Sequence, residues 1–331
     1  MVSRYDTVFT LALQGELRNN KCVHMDLGKM QQVMASKSGY SPVVAAEDGS
    51  VVVQLSEDHP GFSDSAYRAR RNEIASLSMG YSSGDPIPQV EYTDVEHGVW
   101  KIVSKELVPK HNQYACRAFL EGKEALQLPS DHIPQLDEVT RHLSPITGFQ
   151  YQPVAGLAPL REFYSSFANH MFFSTQYIRH HSVPLYTPEP DIIHEVIGHA
   201  NQLTNEKFAA IYDEVGKAVL RTATREALEF LSRVFWFTME FGVIYENGEP
   251  KAYGAGILSS FGELDVFQQA TIRSLDFKEM GTMEYDITHY QPLLYSVKSM
   301  DELYDRLMAF YSAYDDSVYA ALMKGTPSTE E

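Results

Sequence analysis

Apolar positions recur at helical spacing through most of this chain. From Asp64 to Met79, Tyr67, Arg71 and Ile74/Ala75 fall at helical offsets, which predicts an amphipathic helix ended by Ser82-Ser83-Gly84-Asp85-Pro86. Val99 to Val108, Gln113 to Leu120 and Leu136 to Leu143 read as further helices. Phe163, Phe167, Met171 and Tyr177 predict a long aromatic-rich helix before Arg179. Phe208, Ile211, Tyr212, Val215 and Val219 keep the 3.6-residue period, as do Leu228, Leu231 and Phe235.

Extended structure is sparse. Val51 to Leu55 is a short β-branched run, and Val243-Ile244-Tyr245 and Lys251-Ala252-Tyr253 flank Asn247-Gly248, whose two residues suit the positive φ angles of a tight hairpin. Ser299 and Glu302 have capping-box spacing ahead of a helix with Leu303, Leu307 and Phe310 inward. Residues 1–45 show weak periodicity and are expected to form an appendage, and 325–331 a frayed tail. No repeat or linker divides the rest. The expected fold is mostly α with minor β, one domain over 46–324.

Composition narrows the partners. At 44% hydrophobic and 21% charged residues the chain is an ordinary globular protein. Its net charge of −17 is spread along the sequence, which argues against nucleic acid and anionic membranes. Two cysteines, Cys22 and Cys116, exclude a thiolate metal cluster. With no apolar run of membrane-spanning length and no leader, a cytoplasmic location is expected.

The candidate chemistry centres on Pro188–His199. His194 and His199 lie five apart with Glu195 beside the first. A zincin helix spaces its histidines by four, about 40° apart around an α-helix, whereas five residues correspond to about 140°. The zincin reading therefore fails, and two imidazoles can meet one ion only by reaching around the helix or if the helix departs from ideal geometry near Gly198. Glu240, set among Phe235, Trp236, Phe237 and Phe241, is costly to bury unless paired or metal-bound. With His194 and His199 it makes a two-histidine, one-carboxylate set, which favours non-haem Fe(II) and dioxygen chemistry over zinc. Glu195 suits a general base or hydrogen-bond acceptor better than a fourth ligand. On its residues alone Arg179 reads as a surface ion pair, with a carboxylate-gripping fork as the alternative. Gly254, Gly256 and Gly262 form no nucleotide fingerprint.

Several longer motifs then stand in one order: Asp58-His59-Pro60-Gly61-Phe62, Asp85-Pro86-Ile87-Pro88, Thr147-Gly148-Phe149, Pro153-Val154-Ala155-Gly156, Thr175 to His180, Tyr186 to Asp191, Trp236 to Gly242, Lys251 to Gly256 and Leu258 to Glu263. With these the chain resembles the pterin-dependent aromatic amino acid hydroxylases, and among them the phenylalanine hydroxylases, over roughly residues 57–312.

The resemblance implies that His194, His199 and Glu240 hold iron and that Arg179 grips the substrate carboxylate. It places Thr187, Gly256 and Ser259 around the amino acid, and Pro190 and Trp236 in the aromatic pocket. Phe163 would stack on the pterin, with Glu195, Phe235 and Ala158 also at the cofactor. Tyr81 would belong to a mobile lid, and Ser260 would hydrogen-bond the histidine ligands. Fe(II), tetrahydrobiopterin or a related tetrahydropterin, and O2 follow as requirements, with a free aromatic amino acid as substrate. Phe173 and Ala158-Pro159-Leu160 depart from the family pattern by replacing polar residues at the pterin. Ile287 stands where tyrosine hydroxylases tend to carry an acid, which favours phenylalanine, with tryptophan second and a catalytically silent relative as the reading from another class. A para product is the family default and meta is the alternative. Without a long heptad helix at its end, the chain is expected to be a monomer.

Overall fold

A computed structural model describes residues 41–45, 50–287 and 289–324. Residues 1–40 and 325–331, most of the expected appendage and the whole expected tail, lie outside the described residues. Three residues within the expected appendage, β1 (Val43–Ala45), pair antiparallel with β2 (Val51–Val53), Val43 opposite Val53.

Helix α1 (Ser65–Met79) begins where its sequence asks, because the Asp64 carboxylate accepts from the Ala66 and Tyr67 amides. The expected helices over 99–108 and 113–120 are differently divided: α2 (Asp94–Tyr114) runs through the first and α3 (Arg117–Leu126) starts inside the second. The chain turns at Ala115 and Cys116, whose Cys116 amide donates to Ala252 instead of continuing the helix. A full capping box opens α2, with Thr93 and Glu96 each satisfying the other's backbone N–H. Helix α4 (Leu136–Thr147) leads into β3 (Gln150–Pro153).

The single aromatic helix expected over 163–177 does not form. Helix α5 (Leu160–Ser166) is short, His170 takes a positive φ of 54°, and β4 (Met171–Ser174) pairs parallel with β3. Of the four residues that set the expected spacing, Phe167 and Tyr177 are buried and Phe163 and Met171 only half-buried, and Phe167 stacks on Phe172 of β4.

Helices α6 (Glu206–Arg221) and α7 (Arg225–Phe235) bury the periodic residues named above. The hairpin β5 (Gly242–Glu246) and β6 (Glu249–Ala252) turns on Asn247 and Gly248 with φ of 54° and 82°. It is one side of a four-stranded sheet ordered β6-β5-β8-β7, in which β7 (Thr271–Ser274) and β8 (Leu293–Val297) run parallel to β5. Short helices α8 (Ala255–Ser259), α9 (Glu263–Val266) and α10 (Phe277–Thr282) fill the connections. Helix α11 (Met300–Ala313) follows, and it packs against α6. Its Ser299 caps the Glu302 amide, but Glu302 returns to the Lys298 amide, so only half of the expected box closes. Helix α12 (Asp316–Lys324) ends the described chain. One large apolar core, with Trp100, Tyr212 and Tyr253 among its fully buried side chains, joins these helices. Among the described residues no helix is long and apolar enough to cross a membrane.

Thr93→Ala should lower unfolding free energy by about 1 kcal/mol. Urea denaturation checks this, with the midpoint falling and the slope unchanged.

Candidate active site

The helix that carries the two histidines is not α-helical where it matters. From His194 to Ala200 it is a π-helix, continued by an α-turn over Asn201–Leu203. In a π-helix hydrogen bonds run from residue i to i+5, so residues five apart stack on one face. The five-residue offset that is awkward on an α-helix is the natural one here. The helix does depart from ideal geometry at Gly198. A Cβ there would lie 2.9 Å from the Ala255 carbonyl oxygen, so only glycine lets the π-turn rest on α8.

Glu240 arrives on a second π-turn, Trp236–Glu240, closed by the Phe241 amide donating to the Trp236 carbonyl at 3.0 Å. Gly254 lies against its end, where a Cβ would be 2.3 Å from the Glu240 carbonyl oxygen.

These turns bring three donors together. His194 Nε2 and His199 Nε2 are 3.0 Å apart with their rings at 90°. Glu240 Oε1 lies 3.2 Å from His199 Nε2, and Oε2 lies 3.6 Å from His194 Nε2. Two donors about 2.1 Å from one ion stand about 3.0 Å apart at a right angle and about 3.4 Å at a tetrahedral angle. The histidine pair meets the right-angle value. The donor set therefore fits one metal ion with ligands on adjacent corners, and as a set of two nitrogens and one oxygen it suits a first-row transition metal.

Each imidazole is fixed from behind. His194 Nδ1 contacts Ser259 Oγ at 2.9 Å, and His199 Nδ1 contacts Tyr212 Oη at 2.8 Å. The Tyr212 hydroxyl donates to Gln202 Oε1, so it receives the proton of His199 Nδ1 and leaves Nε2 as a lone-pair donor. Gln202 Nε2 in turn donates to the Met239 carbonyl at 3.1 Å, tying the histidine helix to the Glu240 turn. Ser260, expected to hold a histidine, does not: its hydroxyl accepts from the Glu263 amide at 3.4 Å, and its neighbour Ser259 makes the contact. Adjacent helical residues point about 100° apart, so only one of the two can face the ring. Burial, reinforced by His199, pushes the His194 imidazole down to about 4. Burial raises the Glu240 carboxyl, but the two histidines and the Gly256 amide outweigh it and hold the group below the usual range.

Two cavities meet here. The larger, about 160 Å³, is lined by Arg179, Thr187, Pro190, His194, Trp236, Glu240, Gly256, Ser259, Ser260 and Ile287. The narrower, about 40 Å³, is lined by Ala158, Phe163, Phe173 and Glu195, with Glu189 and Pro190 common to both. Arg179 is buried, and its fork closes on Asp191: Nε to Oδ2 at 2.9 Å and Nη2 to Oδ1 at 2.8 Å. A surface ion pair is excluded. Asp191 also accepts from the Arg179 and His194 amides, linking the arginine to the start of the metal helix. Burial, with Glu240 and Asp191 nearby, pushes the Glu195 carboxyl well above its ordinary value, which favours its protonated form.

Two expected site residues stand elsewhere. Phe235 is fully buried behind the cofactor-side cavity, edge-on to Tyr164 and Tyr212, and lines neither cavity. Tyr81 follows α1, where its amide donates to Ser78, and lines neither cavity. Asp191, Tyr212 and Gln202 were missed. The first could have been found as an acid just before a metal helix; the second is a periodic core residue whose hydroxyl needs a partner. Tyr285, stacked on Trp236 at 4.2 Å, gave no sequence signal.

Fold and site together define a helical enzyme built around the His194, His199 and Glu240 centre, which opens on the larger of two adjoining chambers. The family model for biopterin-dependent aromatic amino acid hydroxylases matches residues 47–323, and the chain belongs to that family. It is 47% identical over 268 residues to the phenylalanine 3-hydroxylase of Streptomyces coeruleorubidus, covering 81% of this chain and 96% of that one. It is 44% identical over 264 residues to bovine tyrosine 3-monooxygenase, covering 78% of this chain and 54% of that one. The chain thus spans about half the length of that mammalian relative. Among solved structures, the phenylalanine hydroxylase of Colwellia psychrerythraea superposes with a TM-score of 0.67 at 31% identity, over 73% of this chain and 92% of that one. The cobalt-bound phenylalanine hydroxylase of Chromobacterium violaceum gives 0.69 at 27% identity, over 77% and 93%.

Tyr212→Phe should weaken metal affinity by about 10–100-fold, the usual cost of losing a partner behind a histidine ligand. Titration of the metal-free protein with Co(II) or Fe(II) measures it. Glu263, pushed up to about 7 by burial, binds its proton more tightly folded than unfolded. Its contribution is present below the unfolded value and lost as pH rises through about 7, so Glu263→Gln should be more stable than the parent at pH 8 and no more stable at pH 4. Paired denaturation curves at the two values read this out.

Proposed function

We propose that the protein is an Fe(II)- and tetrahydropterin-dependent monooxygenase that hydroxylates the ring of free L-phenylalanine at C3. The observation that carries the reading is the convergence of His194, His199 and Glu240 on one point, with His194 and Glu240 lining a chamber that shares Glu189 and Pro190 with a second, narrower one. In such a centre bound iron and tetrahydropterin together activate O2, with the pterin supplying two electrons.

The chain's own residues bind and aim. Arg179, held rigid by Asp191, is the cation for the substrate carboxylate in the larger chamber, with Thr187, Gly256 and Ser259 beside it. Trp236, stacked on Tyr285, is the shelf for the aromatic ring. Ile287 offers a tyrosine hydroxyl no partner, and an unpaired buried hydroxyl costs about 1–3 kcal/mol, or roughly 5–150-fold in selectivity. Phe163 and Ala158 are the faces for the pterin, and Glu195 is the carboxyl group beside it.

The ring position follows the relatives. The relative named for attack on phenylalanine at position 3 shares 47% of residues with this chain, while mouse phenylalanine-4-hydroxylase shares 41%. We therefore read meta over para. A free amino acid substrate, a monomeric state and a cytoplasmic location complete the proposal.

Incubation with Fe(II), tetrahydrobiopterin and O2 should convert phenylalanine to 3-hydroxyphenylalanine, identified by chromatography and NMR, with tyrosine and tryptophan slower. A 4-hydroxy product would overturn the ring position, and no pterin-dependent product would overturn the whole reading. Arg179→Ala should raise the phenylalanine KM by at least about tenfold while iron stays bound.

A further inference from the structure

The narrow cavity does not end at the residues assigned to the pterin. Besides Phe163 and Glu195 it is lined by Ser41, Arg71, Thr175 and Glu189, a polar group of residues to which the resemblance gives no role. Two of these groups are buried without a protein partner among the described residues. Thr175 Oγ1 and Arg71 Nε make no hydrogen bond, although both residues are more than nine-tenths buried. Leaving such groups unpaired costs about 1–3 kcal/mol each, which points to a ligand that pairs them.

The charge there is already balanced. Arg71 Nη1 donates to Glu189 Oε1 at 2.9 Å, and its guanidinium lies 3.3 Å over the Tyr177 ring. The second Glu189 oxygen accepts from the Ser41 amide at 2.9 Å. A neutral ligand with alternating donors and acceptors fits such a group; an anionic one does not. Ser41 belongs to a strap at the start of β1, six residues before the span that the family model matches. The strap is held by the β1–β2 ladder, by that one bond to Glu189, and by Val43 against Gly156, where a Cβ would come within 2.6 Å of Val43 Cγ2.

We propose that Thr175 and Arg71 Nε, closed in by the Ser41–Val43 strap, pair with the 2-amino-4-oxopyrimidine edge of the pterin. The edge is neutral and presents a carbonyl acceptor beside N–H donors, which answers an Arg N–H and a hydroxyl that can both give and take. It also accounts for a departure in the sequence. Phe173 and Ala158 leave their part of this cavity apolar, and the polar contacts come instead from this group. Thr175 would touch the cofactor; Ser41 acts through Glu189 and the strap, as a positioning residue.

The inference rests on the pterin-dependent reading, and its test separates the two. The full-length protein is titrated by calorimetry with 7,8-dihydrobiopterin and with 7,8-dihydropterin lacking the side chain, neither of which supplies the reducing electrons. Thr175→Val should weaken both by about tenfold, the worth of one buried hydrogen bond, because the edge is common to both. Thr175→Ser should restore both to within about threefold, since it keeps the hydroxyl. Ser41→Pro, which removes the amide bonded to Glu189, should weaken both by about threefold or more even if Thr175→Val proves too unstable to titrate. Unchanged affinity for both ligands in Thr175→Val and Ser41→Pro would overturn the assignment. So would a loss confined to dihydrobiopterin, which would mean that the side chain is read instead. If the unaltered protein binds neither ligand, the pterin-dependent reading itself falls.

Discussion

The site depends on two helices that break their own hydrogen-bond period. A π-turn is unusual because it widens the helix and strands a carbonyl that an α-turn would have satisfied. Here side chains donate to carbonyls within and just before the two turns. Asn201 Nδ2 donates to the Ile197 carbonyl at 2.7 Å, and Thr238 Oγ1 donates to the Val234 carbonyl at 2.7 Å. Both donors lie four residues after the carbonyl that they meet. Both π-turns are buried, so neither carbonyl could rely on solvent. Gly198 and Gly254 supply the close approach that lets the two turns share α8 as a common support. The geometry that aims His194 and His199 at one point is therefore held by packing and side-chain hydrogen bonds before any metal arrives.

Buried charge is handled in pairs around this frame. Arg179 is locked to Asp191, and Arg71 to Glu189. Each pair answers a different chamber, and Glu189 with Pro190 forms the wall between them. Glu195 differs: burial, with Glu240 and Asp191 nearby, pushes its carboxyl well above the ordinary value, whereas the histidines hold Glu240 below it. The two carboxyl groups thus differ in protonation preference, and they line different chambers.

How much of this could be read from the residues is itself physical. Capping at Asp64, the Asn247-Gly248 turn and the periodic faces of α6 and α7 are local signals, and the chain obeys them. The donor set was legible because two histidines and a glutamate among aromatics have few inexpensive alternatives. What could not be read was non-local. The stretch from Phe163 to Tyr177 has helical aromatic spacing, yet β4 pairs with β3 and draws Phe172 into the core. Ser259 and Ser260 are chemically identical neighbours, and only the orientation of α8 decides which meets His194. Phe235 lies one position from Trp236, but where the π-turn begins it points to Tyr212 while Trp236 lines the chamber. The π-turn also explains why the five-residue offset could be recognised as anomalous from sequence but not resolved.

The two chambers are unequal, and the inequality has a chemical logic. The larger one is bounded by Ile287, His289 and Tyr290, from the irregular chain between α10 and β8, so its shape can be altered by a few substitutions without touching the metal frame. The narrower one is bounded by Phe173 of β4 and by the Arg71–Glu189 pair, whose change would disturb the wall between the chambers. On the proposed reading, substrate choice falls on the adaptable side and the cofactor on the other. A shift of about 1 Å in the ring would then be enough to change which carbon is nearest the metal. Position 3 against position 4 would be set by the Trp236–Tyr285 shelf and Ile287, within one chamber of the frame that the rest of the chain holds.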